Sequence, residues 1–302
     1  MHKRDDHVVN PREGIDEKWA QVEGLRVRFW QVGFGPAIVL VHGLLGYSFN
    51  WRRVIPDLAK SHKVFVPDLP GAGFSECSSA LDCRLSASAR RLLAFLDGAG
   101  INSCDLVGSS YGGSTAMLAA SFQPSRVRRL VLVSPANPWS RVGLKRLRLL
   151  RIPAIAACFP TISRWARPVQ GYFVRRMYGD PTRLTAETLQ SHFKPLSRPG
   201  VLEHAVGIVR TWRADMAELE AALPGISRIP TLLIWGSRDR TVDPASAFPL
   251  SRQFESAEIE ILDGAGHLPY EECPHEFVSI VEPFLQAGLV EKQGLGAARE
   301  VT

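Results

Sequence analysis

The segment Gly108-Ser109-Ser110-Tyr111-Gly112-Gly113 sets a serine between glycines in the spacing G-x-S-x-G. An apolar run at 104–107 (CDLV) precedes it and a helix-forming stretch, STAMLAASF, follows it. In that context the serine stands on a sharp strand-to-helix turn that only small flanking residues permit. The helix N-terminus behind it favours developing negative charge. Such a hydroxyl suits acyl transfer once a base takes its proton. A glycine-rich turn that merely caps a helix would read similarly; the strand before and helix after favour the catalytic reading of Ser110. Ser109 falls outside the glycine register.

The base expected is His267, in Asp263-Gly264-Ala265-Gly266-His267, where glycines let a loop fold back after the strand-like run at 258–262. Of the other histidines, six occupy helical or polar contexts without such framing, and His42 precedes a glycine in a tight turn, where it reads as a loop brace. A base of this kind needs a carboxylate to fix its tautomer and stabilise the imidazolium. Asp239, four residues past the run at 231–235 (TLLIW), fits; Asp243, followed by Pro244, looks like a helix N-cap. The segment Ser134-Pro135-Ala136-Asn137 offers no earlier carboxylate. The resulting order is Ser, Asp, His. In His42-Gly43-Leu44-Leu45-Gly46 the backbone N–H of Leu44, together with that of Tyr111, is expected to hold an oxyanion. The G-A-G at 71–73 lacks the third glycine of a dinucleotide loop, since position 76 is Glu.

These residues need strands to hold them. The runs at 37–41, 63–67, 104–107, 130–133, 231–235 and 258–262 are short, rich in Val, Ile and Leu, and each ends at one of the clusters above. Helical patterns at 85–96, 114–122 and 275–287 lie between or after them, which predicts an α/β fold with a mostly parallel central sheet flanked by helices. Segments 19–22 and 25–31 read as a hairpin around Glu23-Gly24. The alternation breaks at 137–225, read as an inserted helical cap. The expected organisation is a polar leader at 1–18, a core domain at 19–136 and 226–288, the cap, and a flexible tail at 289–302.

With 302 residues, 45% of them apolar, the chain can bury a large core. No apolar run is long enough for an integral membrane segment, and the first fifteen residues lack a secretory h-region. Five cysteines without a C-x-x-C suggest reduced thiols in a cytoplasmic protein rather than a zinc site. The net charge is +6, and 137–225 holds 14 Lys/Arg against 6 Asp/Glu. That excess reads first as a solvated helical face, with an anionic substrate or a membrane surface as alternatives; no nucleic-acid motif accompanies it. In 141–151 basic and apolar residues are not cleanly segregated on a helical wheel.

HGLLG (42–46), PDLPGAGFS (67–75), GSSYGG (108–113), WGSRDRTVDP (235–244) and GAGHLPYEECP (264–274) together resemble the α/β-hydrolase fold superfamily. The sequence is most similar to its capped branch of serine esterases, C–C-bond hydrolases, epoxide hydrolases and haloalkane dehalogenases. The last two activities use an aspartate where this chain has Ser110; the S-x-G-G of the C–C-bond hydrolases is met by Ser110-Tyr111-Gly112-Gly113, as it is by many esterases. The resemblance implies a small-molecule substrate, no metal and no cofactor, and an acyl-enzyme on Ser110. Three activities stay open: ester hydrolysis, β-diketone-type C–C cleavage, and a hydrolase-like receptor without turnover. Substrate-lining residues are expected among Tyr47, Phe49, Trp139, Phe159, Tyr172, Phe173, Trp212 and Leu268. Oligomeric state is not encoded in these motifs.

Overall fold

The computed structural model describes residues 14–140 and 152–297. Eight strands form one sheet in the order β1-β2-β4-β3-β5-β6-β7-β8. They are β1 (Asp16–Val22), β2 (Leu25–Val32), β3 (Ala37–Val41), β4 (Lys63–Pro67), β5 (Cys104–Ser109), β6 (Val127–Val133), β7 (Thr231–Gly236) and β8 (Ala257–Leu262). From β4 to β8 all pairings are parallel, and β2 runs antiparallel to β1 and β4. The β1–β2 turn has positive φ at Glu23 and Gly24, 51° and 80°, the two-residue turn whose twist matches that of a hairpin.

The continuous apolar runs are explained by burial on both sides. In β3, Val39 and Val41 enter one core cluster while Ile38 and Leu40 enter another. β5 and β7 are buried along their whole length. β8 lies at the sheet edge with only Leu262 fully buried, which accounts for the charged residues alternating in AEIEIL. The helices α1 (Leu85–Gly98) and α2 (Tyr111–Phe122) cover one face, with Phe95, Leu96 and Met117 in the core. Every residue of α2 from Tyr111 to Ala120 is buried, so its small side chains bring the helix close to the sheet.

Between β6 and β7 stand α3 (Pro153–Trp165), α4 (Arg167–Met177), α5 (Ala186–Phe193) and α6 (Val201–Ala222). α6 packs on α1 and α2, and α3 packs on α6. The basic stretch at 141–151 lies outside the described residues. The other face of the sheet carries α7 (Pro274–Ala297), through Phe277, Val281 and Leu285.

Two boundaries differ from expectation. β1 begins at Asp16, inside the expected leader, because an edge strand tolerates Asp16, Glu17 and Lys18 on its exposed positions. Residues 1–13 lie outside the described ones. α7 continues to Ala297, through the start of the expected tail, because Gly288 is followed by the helix formers Leu289, Glu291, Lys292 and Gln293. Residues 298–302 lie outside the described ones. Among the described residues no helix is long and apolar enough to cross a membrane.

Candidate active site

Ser110 follows the last residue of β5 and precedes the first of α2, with φ 52° and ψ −121°. Its backbone is pinned from several sides: its N–H donates to Val133 O at 2.9 Å, and its carbonyl accepts from Gly113 and Ala136 at 2.9 and 3.0 Å. The glycines around it are required by close approach. A Cβ at Gly112 would collide with the carbonyl oxygens of Val41 and His42, and one at Gly113 would lie 2.7 Å from Pro135 Cβ. The neighbouring Ser109 is fully buried, and its Oγ accepts a hydrogen bond from Tyr270 OH at 3.1 Å. That contact occupies the competing hydroxyl.

His267 and Asp239 meet at the ends of β8 and β7. Nδ1 of His267 lies 2.8 Å from Oδ2 of Asp239, and both side chains are buried. The other carboxylate oxygen accepts the N–H groups of Thr241 and Val242 at 2.7 and 3.0 Å, so both oxygens of Asp239 are held in place. Asp243 instead caps the next turn, accepting from Ala245 N–H at 2.9 Å. The two loops touch through glycine: a Cβ at Gly236 would run into the carbonyls of Ala265 and Gly266.

The loop after β3 lies against the elbow, since a Cβ on Gly43 would stand 3.0 Å from Ser110 Cβ and 3.7 Å from its Oγ. This sets the backbone of 43–44 beside the serine. Tyr111, as the first residue of α2, has no carbonyl one turn back to receive its N–H. His42 braces the loop: Nε2 accepts the Leu69 N–H at 3.0 Å while Nδ1 lies 2.8 Å from Gly43 O, the neutral tautomer with its proton on Nδ1. Burial holds its pKa below the ordinary value. A cavity of about 30 Å³ adjoins the loop, lined mainly by apolar groups including Leu44, Leu69, Tyr111 and Ile208. His204 also borders it, pushed down to about 4 by burial and by the charge of Arg91.

Two glutamates to which the sequence motifs assign no role, Glu271 and Glu272, stand behind the histidine loop. Both are buried. Glu272 accepts the N–H groups of Gly266, Gly179 and Asp180 at 2.7, 2.9 and 3.2 Å, tying the histidine loop to the end of α4. The His267 N–H itself donates to Met177 O at 2.6 Å. Burial raises the Glu272 pKa against the pull of those amides. Their only signal in the sequence is closeness to His267.

The expected lining residues divide. Phe159, like Leu44, packs on a cluster of Ala156, Val206 and Val209; Trp212 lies 6.2 Å from the Tyr111 ring, and Trp139 and Trp212 both pack on the core cluster that holds Tyr111. Tyr47 and Phe49 instead fasten α5 to the loop after β3, through Tyr47 OH to Ser191 O at 2.9 Å and the edge-on packing of Phe49 and His192 at 6.4 Å. Leu268 is buried in the second core cluster. Tyr172 and Phe173 stand half exposed, because Gln170, Gly171 and Val174 take the inner face of α4. Among the described residues no cluster of three or more His, Cys, Asp or Glu is placed to hold a metal ion.

A sheet of this order with a strained serine at the end of β5 and a His–Asp pair across β7 and β8 defines a class, and comparison agrees. The chain belongs to the alpha/beta hydrolase fold family, whose model matches residues 36–274. An uncharacterized protein of Mycobacterium tuberculosis is 30% identical over 278 residues, 87% of this chain and 79% of that one. The 2-hydroxy-6-oxo-2,4-heptadienoate hydrolase of Pseudomonas putida is 27% identical over 272 residues, covering 87% and 94%. Among solved structures, a putative lipase of Acinetobacter baumannii superposes with a TM-score of 0.82 at 24% identity, covering 93% of this chain and 95% of its own.

Proposed function

We propose that the chain is a serine hydrolase that cleaves a carboxylic ester of a small or medium hydrophobic substrate through an acyl-enzyme on Ser110. The observation that carries the reading is the buried 2.8 Å contact between His267 and Asp239 at the rim where Ser110 is held in a strained turn. Ser110 Oγ attacks the substrate carbonyl and His267 takes its proton. Asp239, fixed by two backbone amides, holds the imidazole with Nε2 free to act and stabilises the imidazolium. The amides of Leu44 and Tyr111 receive the oxyanion, each such donor lowering the barrier by about 3–4 kcal/mol. His267 then protonates the leaving group and activates the water that releases the acid. The apolar lining beside Leu44 and Tyr111 favours a hydrophobic acyl group.

A second reading, C–C-bond cleavage of a β-diketone-type substrate by the same triad, is favoured by the Pseudomonas putida relative and by the Ser110-Tyr111-Gly112-Gly113 elbow. Turnover of short-chain p-nitrophenyl esters against a vinylogous 1,5-diketo acid decides between them. The first reading expects a p-nitrophenol burst that Ser110→Ala abolishes. Turnover of the diketo acid alone selects the second, and turnover of neither, with ligand binding retained, leaves a receptor.

A further inference from the structure

We propose that the outer surface of α3 and α4 is a docking face for an anionic lipid bilayer. Ile155 and Ile162, seven residues apart, share one face of α3, and Ile152 precedes it; Val169, Tyr172, Phe173 and Arg176 share one face of α4. These apolar side chains are between 37% and 66% exposed. Six of the twelve large apolar side chains that stand exposed among the described residues fall within 152–173, so the exposure is concentrated rather than scattered.

The inner faces of both helices are already used. Ala156 and Phe159 pack with Val206, Val209 and Leu44, and Val174 enters the second core cluster. The outer residues therefore contribute nothing to the core, and water meets them at a cost.

Charge chooses the occupant. Within 152–179 the sequence has four arginines, Arg164, Arg167, Arg175 and Arg176, and no Asp or Glu. Two copies pressed together on this face would oppose arginine to arginine, with no Asp or Glu on either helix to offset them. A surface of anionic headgroups satisfies the cations and accepts the isoleucines and aromatic rings between them. The site lies on the far side of the same helices: Phe159 and Leu44 pack on the same cluster with Ala156, and Met177 O holds the His267 N–H. A docked bilayer thus lies over the helices that cover the candidate site.

Flotation with vesicles tests this on the full chain. Binding to phosphatidylcholine vesicles carrying about 30% phosphatidylglycerol is expected at least about tenfold tighter than to pure phosphatidylcholine, and weaker as salt rises. Arg176→Gln should lose about fivefold, and Ile162→Asp with Val169→Asp about tenfold or more, each with an unchanged melting temperature. Ser110→Ala should bind vesicles as the wild type does, which separates this inference from the catalytic one. Equal binding to neutral and anionic vesicles, no binding to either, or unaffected variants would overturn it. So would a concentration-dependent dimer lost in Ile162→Asp/Val169→Asp, which would assign the face to a second copy.

Discussion

Ser110 occupies a backbone conformation, φ 52° and ψ −121°, that glycine adopts far more readily than serine. Strain of that kind costs on the order of 1–3 kcal/mol and persists only where the surroundings over-determine it, here through the bonds to Val133, Gly113 and Ala136. Ser110→Gly should therefore raise the urea midpoint, by about 1 kcal/mol of stability, while ester turnover disappears. A lower midpoint would mean that the turn is not strained. For Asp239→Asn, whose side chain can still sit between Thr241 and Val242 but no longer stabilises the imidazolium, kcat should fall by about 10⁴ with KM little changed. Steady-state kinetics on one ester read both numbers, and a loss confined to KM would place Asp239 outside the catalytic apparatus.

At the scale of elements, the strand ends are what aim the chemistry. The elbow works because α2 starts against β3, close enough that a Cβ on Gly112 would meet two backbone carbonyls with no flexible side chain to give way. Gly112→Ala is expected to cost about 3 kcal/mol or more, seen as a lowered unfolding midpoint or loss of soluble protein. All eight strands were legible in the sequence: AIVLV, LVLV and TLLIW as unbroken apolar runs, because strands buried on both faces leave that plain a record, and the edge strand EIEIL through alternation instead. So were the sharp turn at Ser110 and the pairing of His267 with Asp239, since glycine spacing and strand ends mark them. The roles of Glu271 and Glu272 were not legible: apart from the Gly266 amide, the partners named here are amides and side chains 79 to more than 200 residues away, which no local pattern encodes. Nor was the outward turn of Tyr172 and Phe173, because an aromatic residue at helical spacing looks the same on either face until the helix is docked.

Across the whole molecule, Glu271 stitches core to insertion. Its fully buried carboxylate accepts from Asn50 Nδ2 at 2.8 Å, Arg52 Nη1 at 3.0 Å and Tyr178 OH at 2.8 Å, and His192 Nε2 stands 3.4 Å away. Burial works to raise its pKa, but the charges of His192 and Arg52 prevail and hold it well below the ordinary 4.5. A carboxyl depressed by folding stabilises the folded state above its unfolded value and loses that contribution as pH falls from about 4.5 towards the folded one. Glu271→Gln should cost about 3–5 kcal/mol at pH 7, by leaving Arg52 buried without its counter-ion, and should flatten the acid limb of stability below pH 4.5. Urea unfolding at pH 7 and pH 4 checks both, and a variant as acid-sensitive as the wild type would show that the sensitivity arises elsewhere.

The central claim is that one hydroxyl, at Ser110, is made nucleophilic by His267. Reaction with a fluorophosphonate followed by peptide mass mapping tests it most directly. The account predicts a single adduct on Ser110, absent in Ser110→Ala and formed at least about 10³-fold more slowly in His267→Ala. An adduct on Ser109, or labelling of Ser110 at the same rate without the imidazole, would contradict it.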